Sequence, residues 1–324
     1  MKLPRRQFLH LAAAATTLPA LSSIALAVNY PTRPVHLVVG YPPGLAPDII
    51  ARLVGAPLSE RLGRPVVIDN RPGAGSNIGT EIVAATASPD GYTLLLVSST
   101  NAFNATIYDN LTFNFVRDIA PVACIDLAPF VMAVNPAVPA RTVSEFIAYA
   151  KATPRKIQMC SAGVGTAPHI FGELFNMMTG VDMVHVPYRS NFYPDLLSGQ
   201  VQVIFATVTS SIGYIKAGQL RVLGVTTATR VEALPDVPPI ADSVPGYEAS
   251  GWHGIGAPSR TPTEIIERLN KEINAVVADP KMQASFVGIG LTPLSSTPAE
   301  FGKFIADETT KWGKVVKFAG INPV

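Results

Sequence analysis

The stretch Val38-Val39-Gly40-Tyr41-Pro42-Pro43-Gly44-Leu45-Ala46-Pro47-Asp48 decides how the rest of the chain is read. Ahead of it, Val35, Leu37, Val38 and Val39 form a short apolar run, rich in β-branching, of the kind a buried strand shows. Behind it, Ile49, Ile50, Leu53, Val54, Leu58 and Leu62 recur at helical spacing and give a helix one apolar face. The turn between them is too rich in Pro and Gly to be either element. Pro47 suits the first turn of the helix, where a backbone N–H is not needed. The unit is a strand, a tight loop and an exposed helix N-terminus. That terminus carries unpaired N–H groups and roughly half a positive charge. It can hold an anion without Arg or Lys. The loop is expected to form half of a carboxylate-binding site.

The other half is expected far along the chain. Ser161-Ala162-Gly163-Val164-Gly165-Thr166-Ala167-Pro168-His169 follows a strand ending at Cys160. Gly163 and Gly165 let the backbone turn sharply and approach a ligand closely. Thr166 is a good N-cap, and Pro168 fits the first helical turn. The physics of the first loop is repeated, and two such termini facing a cleft suit a small anion. Either loop alone also reads as an ordinary strand-to-helix turn.

Outward from these loops, strand and helix alternate. Val66–Ile68 and Thr93–Val97 read as strands, with a helix over Asn77–Ala85 between them, and Ser98–Asn101 offers N-caps for another helix. A second series begins near Cys124, with strands at 156–160, 183–186, 201–205 and 220–225. Its helices start near Thr142, Pro168 and Ile212, and another closes at Ser198. Gly251–Ala257 looks like a strand returning to the first domain, which the amphipathic helices Thr263–Val277 and Pro298–Phe318 would cover. The expected fold class is α/β, with two mostly parallel sheets flanked by helices. Domain 1 is expected at 28–124 plus 251–324, domain 2 inserted at 125–250, and a two-segment hinge near 123–130 and 246–256. A hinged pair of lobes with ligand loops facing a cleft is the architecture of a periplasmic binding protein, type II-like.

The 324 residues are 48% hydrophobic and 15% charged, ample for two cored domains. Arg5-Arg6-Gln7-Phe8-Leu9, the apolar stretch 11–26 and Ala25-Leu26-Ala27 read as a cleaved twin-arginine leader over residues 1–27, the alternative being an uncleaved anchor. Its removal takes Lys2, Arg5 and Arg6 from the 25 basic residues, leaving 22 against 23 acidic ones. A nucleic-acid partner is therefore not expected. Cys124 and Cys160 lie in apolar runs and read as two buried thiols, with a disulfide as the alternative.

The ordered set of segments resembles the solute-binding subunit of tripartite tricarboxylate transporters, the TctC or Bug family of periplasmic receptors. It comprises Tyr30-Pro31-Thr32-Arg33-Pro34-Val35, Pro42-Pro43-Gly44 with Asp48, and Val67-Ile68-Asp69-Asn70-Arg71-Pro72-Gly73-Ala74-Gly75. It continues with Pro89–Leu95, Ser161–His169, His185-Val186-Pro187-Tyr188-Arg189, Leu197–Val201, Leu223–Thr227 and Leu234–Pro238. The resemblance covers essentially all of the chain after the leader. It implies a Venus-flytrap fold and a periplasmic receptor, not an enzyme. It also implies a ligand carboxylate held by loop backbone and hydroxyls, often through water. Two places depart from the family pattern: Leu45 with Pro47, and Arg189-Ser190-Asn191-Phe192-Tyr193. A bulky Leu45 or Phe192 would favour a smaller or more apolar acid.

The residues expected at the ligand are Tyr41, Pro43, Gly44, Leu45, Asp48, Ser99, Thr100, Ser161, Gly163, Gly165, Thr166, His169 and Tyr188. Asp48 reads equally as a stabiliser of its own helix, His169 as a structural residue of the first helical turn, and Arg189 as a solvated side chain or a bidentate partner of a distal carboxylate. Trp252 and His253 are expected in hinge packing. No cofactor and no metal are expected, since His36, His169, His185 and His253 make no metal motif. The expected function is capture of a small carboxylate by a monomer that hands it to membrane permease subunits. The alternatives are a receptor presenting its ligand to a signalling partner, or a periplasmic hydrolase using Ser161 with His169; no G-x-S-x-G elbow supports the latter.

Overall fold

The computed structural model describes residues 30–188 and 191–322, so the expected leader and Arg189 lie outside the described residues. Strand β1 (Val35–Val39) runs parallel to and between β2 (Val66–Asn70) and β3 (Thr93–Ser98). Helix α1 (Ala46–Leu62) connects β1 to β2 and ends at Gly63, whose φ of 68° closes the helix in the left-handed region. It buries Ile50, Val54, Leu58 and Leu62, whereas Ile49, expected on the same face, is 48% exposed. The buried set repeats every four residues, which turns Ile49 to the flank. Helix α2 (Asn77–Glu81), widening into one π turn over Ile82–Thr86, leads to β3. Helices α3 (Ser99–Ile107) and α4 (Phe115–Asp118) then lead to β4.

β4 (Ile119–Val134) is one strand of 16 residues, not the start of a new strand–helix series. From Ile119 to Pro129 it pairs with the returning strand β9 (Ser250–Pro258). From Phe130 to Val134 it pairs with β7 (Val203–Thr207), and from Val131 also with β8 (Arg221–Val225). The pairing partner of β4 therefore changes between Pro129 and Phe130. The second lobe adds α5 (Val143–Ala152), β5 (Gln158–Ser161), α6 (Ala167–Thr179), β6 (Val184–Pro187), α7 (Tyr193–Ser198) and α8 (Val208–Lys216). After β9 come α9 (Thr263–Val277), α10 (Pro280–Gly288), β10 (Thr292–Pro293) and α11 (Pro298–Phe318). Strand order is β2-β1-β3-β9-β4-β7-β5-β6, with β10 and β8 also on β4. The sheets are mixed: parallel pairing is confined to β1–β3 and β5–β7, where helices make the crossovers, and the strands passing between lobes run antiparallel.

Successive side chains on β4 alternate between two cores. Val131 and Ala133 join a small cluster in the second lobe, while Phe130, Met132 and Val134 join a core that runs through both lobes. That larger core is bridged by aromatic rings. Phe171 of α6 lies 5.0 Å from Trp312 of α11, 4.8 Å from Phe130 and 6.3 Å from Phe103 of α3. Cys124 and Cys160 are buried free thiols.

Candidate functional site

Strand-to-helix junctions from both lobes converge on one cavity of about 410 Å3. Tyr41, Ala46, Pro47 and Ile49 line it from the start of α1, and Ser98, Ser99 and Thr100 from the start of α3. The second lobe contributes Ala167 at the start of α6 and Thr207, Thr209 and Ser210 at the start of α8. Ala128, Phe130, Gly251 and His253 of the crossing strands form its floor. Beyond Thr100 the cleft continues into a second space of about 400 Å3, lined by Gly75, Asn104, Tyr108, Gly163, Gly165, Thr166 and Tyr188 among others. The cap positions of α1 and α6, Leu45 and Thr166, make no side-chain cap bond. The first N–H groups of those helices thus have no side-chain acceptor, and helix termini around the cavity favour an anion there.

The first loop is held from within. Asp48 is buried; its Oδ2 accepts from Gly44 N–H at 2.8 Å and Arg52 Nε at 3.0 Å, and its Oδ1 from Asn70 Nδ2 at 2.9 Å. The hydrogen bond from Arg52, helped by Gly44 and Asn70, holds its carboxyl down at about 2 against the cost of burial. Asp48 thus bonds within its own loop and helix and to Asn70, and is absent from the lining of both cavities. Gly40 has no room for a side chain, because a Cβ there would sit 1.9 Å from Ser76 Oγ. Tyr41 Oη bonds Ser98 Oγ at 2.9 Å, tying the first loop to the start of α3.

The second loop rests on two stacked imidazoles, His169 and His185, with ring centroids 3.5 Å apart. His169 Nδ1 accepts from Gly165 N–H at 3.1 Å. Ser161 Oγ lies 2.6 Å from His185 Nε2 and accepts from Gly163 N–H at 3.1 Å. Burial, then the neighbouring His185, lowers His169 to about 3; burial lowers His185 to about 4. With His169 neutral, Glu173 at 3.7 Å makes no ion pair with it. Thr166 Oγ1 donates to Gly163 O at 2.7 Å, closing the turn where an N-cap bond was expected.

Of the expected ligand residues, Tyr41, Ser99 and Thr100 line the main cavity, and Gly163, Gly165, Thr166 and Tyr188 the adjoining space. Pro43, Gly44 and Leu45 are exposed and line neither, and Phe192 packs against Tyr193 at 4.8 Å. The bulk of Leu45 and Phe192 thus does not narrow the cavity; Ile49, Phe130, Ile289 and Leu291 form its apolar wall. Ser161 and His169 are buried behind the loop, and the imidazole on Ser161 is that of His185. This corrects the Ser161–His169 pairing of the hydrolase alternative. Trp252 is buried against Phe301, whereas His253, expected in hinge packing, faces the cavity. The sequence reading missed Thr207, Thr209 and Ser210 by starting their helix at Ile212. The signal was present: the strand 203–207 runs into hydroxyls, Thr207-Val208-Thr209-Ser210-Ser211.

Gly165 marks where the lobes touch: its φ is +75°, and a Cβ there would lie 3.0 Å from Ile107 Cδ1 of α3. Gly165→Val is expected to hold the lobes apart and weaken acid binding by about tenfold or more, the equivalent of about 1.4 kcal/mol of lost contact. The left-handed φ adds a stability cost of about 1–2 kcal/mol. Titration of any acid that shifts the thermal midpoint checks this; unchanged affinity contradicts it.

Two α/β lobes with helix N-termini gathered around the cleft between them define a solute-binding protein. The family described as "Tripartite tricarboxylate transporter family receptor", TctC, matches residues 50–321, and the chain belongs to it. BugT of Bordetella pertussis is 34% identical over 309 residues, covering 93% of this chain and 94% of BugT. Among solved structures, Rpa4515 of R. palustris with adipate is 36% identical with a TM-score of 0.79, covering 91% of this chain and 100% of that one. MatC of Rhodopseudomonas palustris with bound malate is 25% identical with a TM-score of 0.75, covering 89% and 100%. No helix among the described residues is long and apolar enough to cross a membrane.

Proposed function

We propose that this chain is an exported, non-enzymatic receptor that captures a small carboxylate between its lobes and delivers it to the membrane subunits of a tripartite transporter. The observation that carries this reading is the convergence of the starts of α1, α3, α6 and α8 on the 410 Å3 cavity. Backbone N–H groups there can replace the water around a carboxylate without any Lys or Arg. The apolar wall suits a hydrocarbon chain, in keeping with the adipate of Rpa4515 and the malate of MatC. We assign residues 30–129 and 250–322 to one lobe and 130–249 to the other, following the change in strand pairing at Pro129 and Phe130. The site residues are Tyr41, Ser99, Thr100, Gly163, Gly165, Thr166 and Tyr188, to which Thr207, Thr209 and Ser210 are added. The protein acts as a monomer, after removal of its leader through the twin-arginine route.

A thermal-shift screen of the protein without its leader, against mono-, di- and tricarboxylates, amino acids and aromatic acids, tests the reading. An acid at a hundred times its dissociation constant stabilises by about 2.7 kcal/mol, a shift of several degrees. No shift with any acid, after stripping of co-purified ligand, would defeat it.

A further inference from the structure

We infer that His253 is the specificity-determining residue of the cavity. Its Nε2 takes the second carboxylate of a dicarboxylate, with Asp126 as the positioning residue behind it. The inference rests on the receptor reading above. On β9, alternation turns Gly251 and His253 to the cavity and Trp252 to the opposite face, against Phe301. His253 is only 9% exposed, yet it lines the floor. Its Nδ1 lies 2.9 Å from Asp126 Oδ1, while Nε2 has no protein partner among the described residues.

Asp126 is placed there by the fold. A bulge between Cys124 and Asp126 brings it opposite His253, and Pro293 of β10 lies on its other side. It is fully buried, and its Oδ2 has no hydrogen-bond partner among the described residues. A carboxylate accepts, so Nδ1 carries the hydrogen. The ring orientation is thereby set, and Nε2 is the nitrogen left for a ligand. Among the described residues lining the cavity there is no Lys, Arg, Asp or Glu, and His253 is the one that carries an imidazole. Ser98, opposite His253 on β3, places the N-terminus of α3 beside it. In the complex both ring nitrogens donate, Nδ1 to Asp126 Oδ1 and Nε2 to the ligand carboxylate. The ligand's methylene chain then lies along Phe130, Ile289 and Leu291, and its other end reaches the helix termini of the second lobe.

The test compares dicarboxylates from succinate to pimelate with the matched monocarboxylates from butanoate to heptanoate, by calorimetric titration. The wild-type protein is expected to prefer one diacid over its monoacid. His253→Asn keeps a partner for Asp126 but falls short of the ligand, and is expected to lower that preference by about ten- to a hundredfold. His253→Gln, whose amide nitrogen reaches the place of Nε2, retains part of the preference, and Asp126→Asn lowers it. If His253→Asn does not fold, the wild-type imidazole 15N spectrum carries the test: the preferred diacid must produce an Nε2–H signal that the monoacid does not. Acids that bind without a diacid preference, a preference that survives in His253→Asn, or a diacid that brings no such signal, each overturn the role of His253 and leave the receptor reading standing. If no acid binds the wild-type protein at all, both fall.

Discussion

Trp312→Ala is expected to cost about 4 kcal/mol of stability, read as a shift of the denaturation midpoint. Trp312 is fully buried on α11 and lies 5.3 Å from Phe103 and 5.0 Å from Phe171. Its truncation leaves a cavity of ring size where the cores of the two lobes meet. A second loss compounds the first: the indole N–H donates to Glu308 Oε2 at 2.6 Å, and Trp252 donates to the same oxygen at 3.1 Å. Removing one of the two donors on that oxygen leaves a buried carboxylate less well satisfied, with Lys311 still on Oε1. Trp312→Phe, which keeps most of the ring and loses only the donor, is expected to cost about 1–2 kcal/mol. A loss below about 1 kcal/mol in Trp312→Ala would mean that the aromatic bridge is not a shared core. The same variant is expected to widen the angle between the lobes in small-angle scattering, because Phe171 of the second lobe loses the ring it stacks on.

Acid is expected to destabilise the protein, by about 3 kcal/mol between pH 6.5 and 4, through the imidazole pair under the second loop. Both rings are more acidic folded than unfolded, His169 at about 3 and His185 at about 4, against an ordinary value of 6.5. Above pH 6.5 neither state binds the protons and the pair costs nothing. As the pH falls toward 4 the unfolded chain takes up protons that the folded chain refuses, so stability drops. The loss is smaller than two fully buried rings would give, because His185 is partly exposed and water screens its charge. Protonation also removes the acceptor that Nδ1 of His169 offers to Gly165 N–H, so acid affinity is expected to fall in the same range. His169→Asn keeps an acceptor near that place and does not titrate. It should flatten the dependence of stability on pH in urea titrations, and a wild-type slope that persists in that variant would remove the pair as its cause.

How much of this was legible beforehand divides along physical lines. The elements of the unit β1–loop–α1, and the strand, turn and helix around the loop before α6, are legible in the sequence because a strand, a glycine turn and an amphipathic helix are local patterns. Their signals are the periods of the elements and the few residues that can make the turn. The ordered family segments made the two-lobed class and the carboxylate theme readable as well. Tertiary structure alone decided what those loops are made to do. Asp48 closes onto Gly44 and Asn70, and Ser161 turns to His185. The start of α8 enters the cavity, and His253 meets Asp126 across 127 residues of chain. Each of these depends on the register between β4 and β9 or on the packing of one lobe against the other. Such pairings bring distant residues within hydrogen-bond reach and leave no period or spacing in the sequence that would announce them.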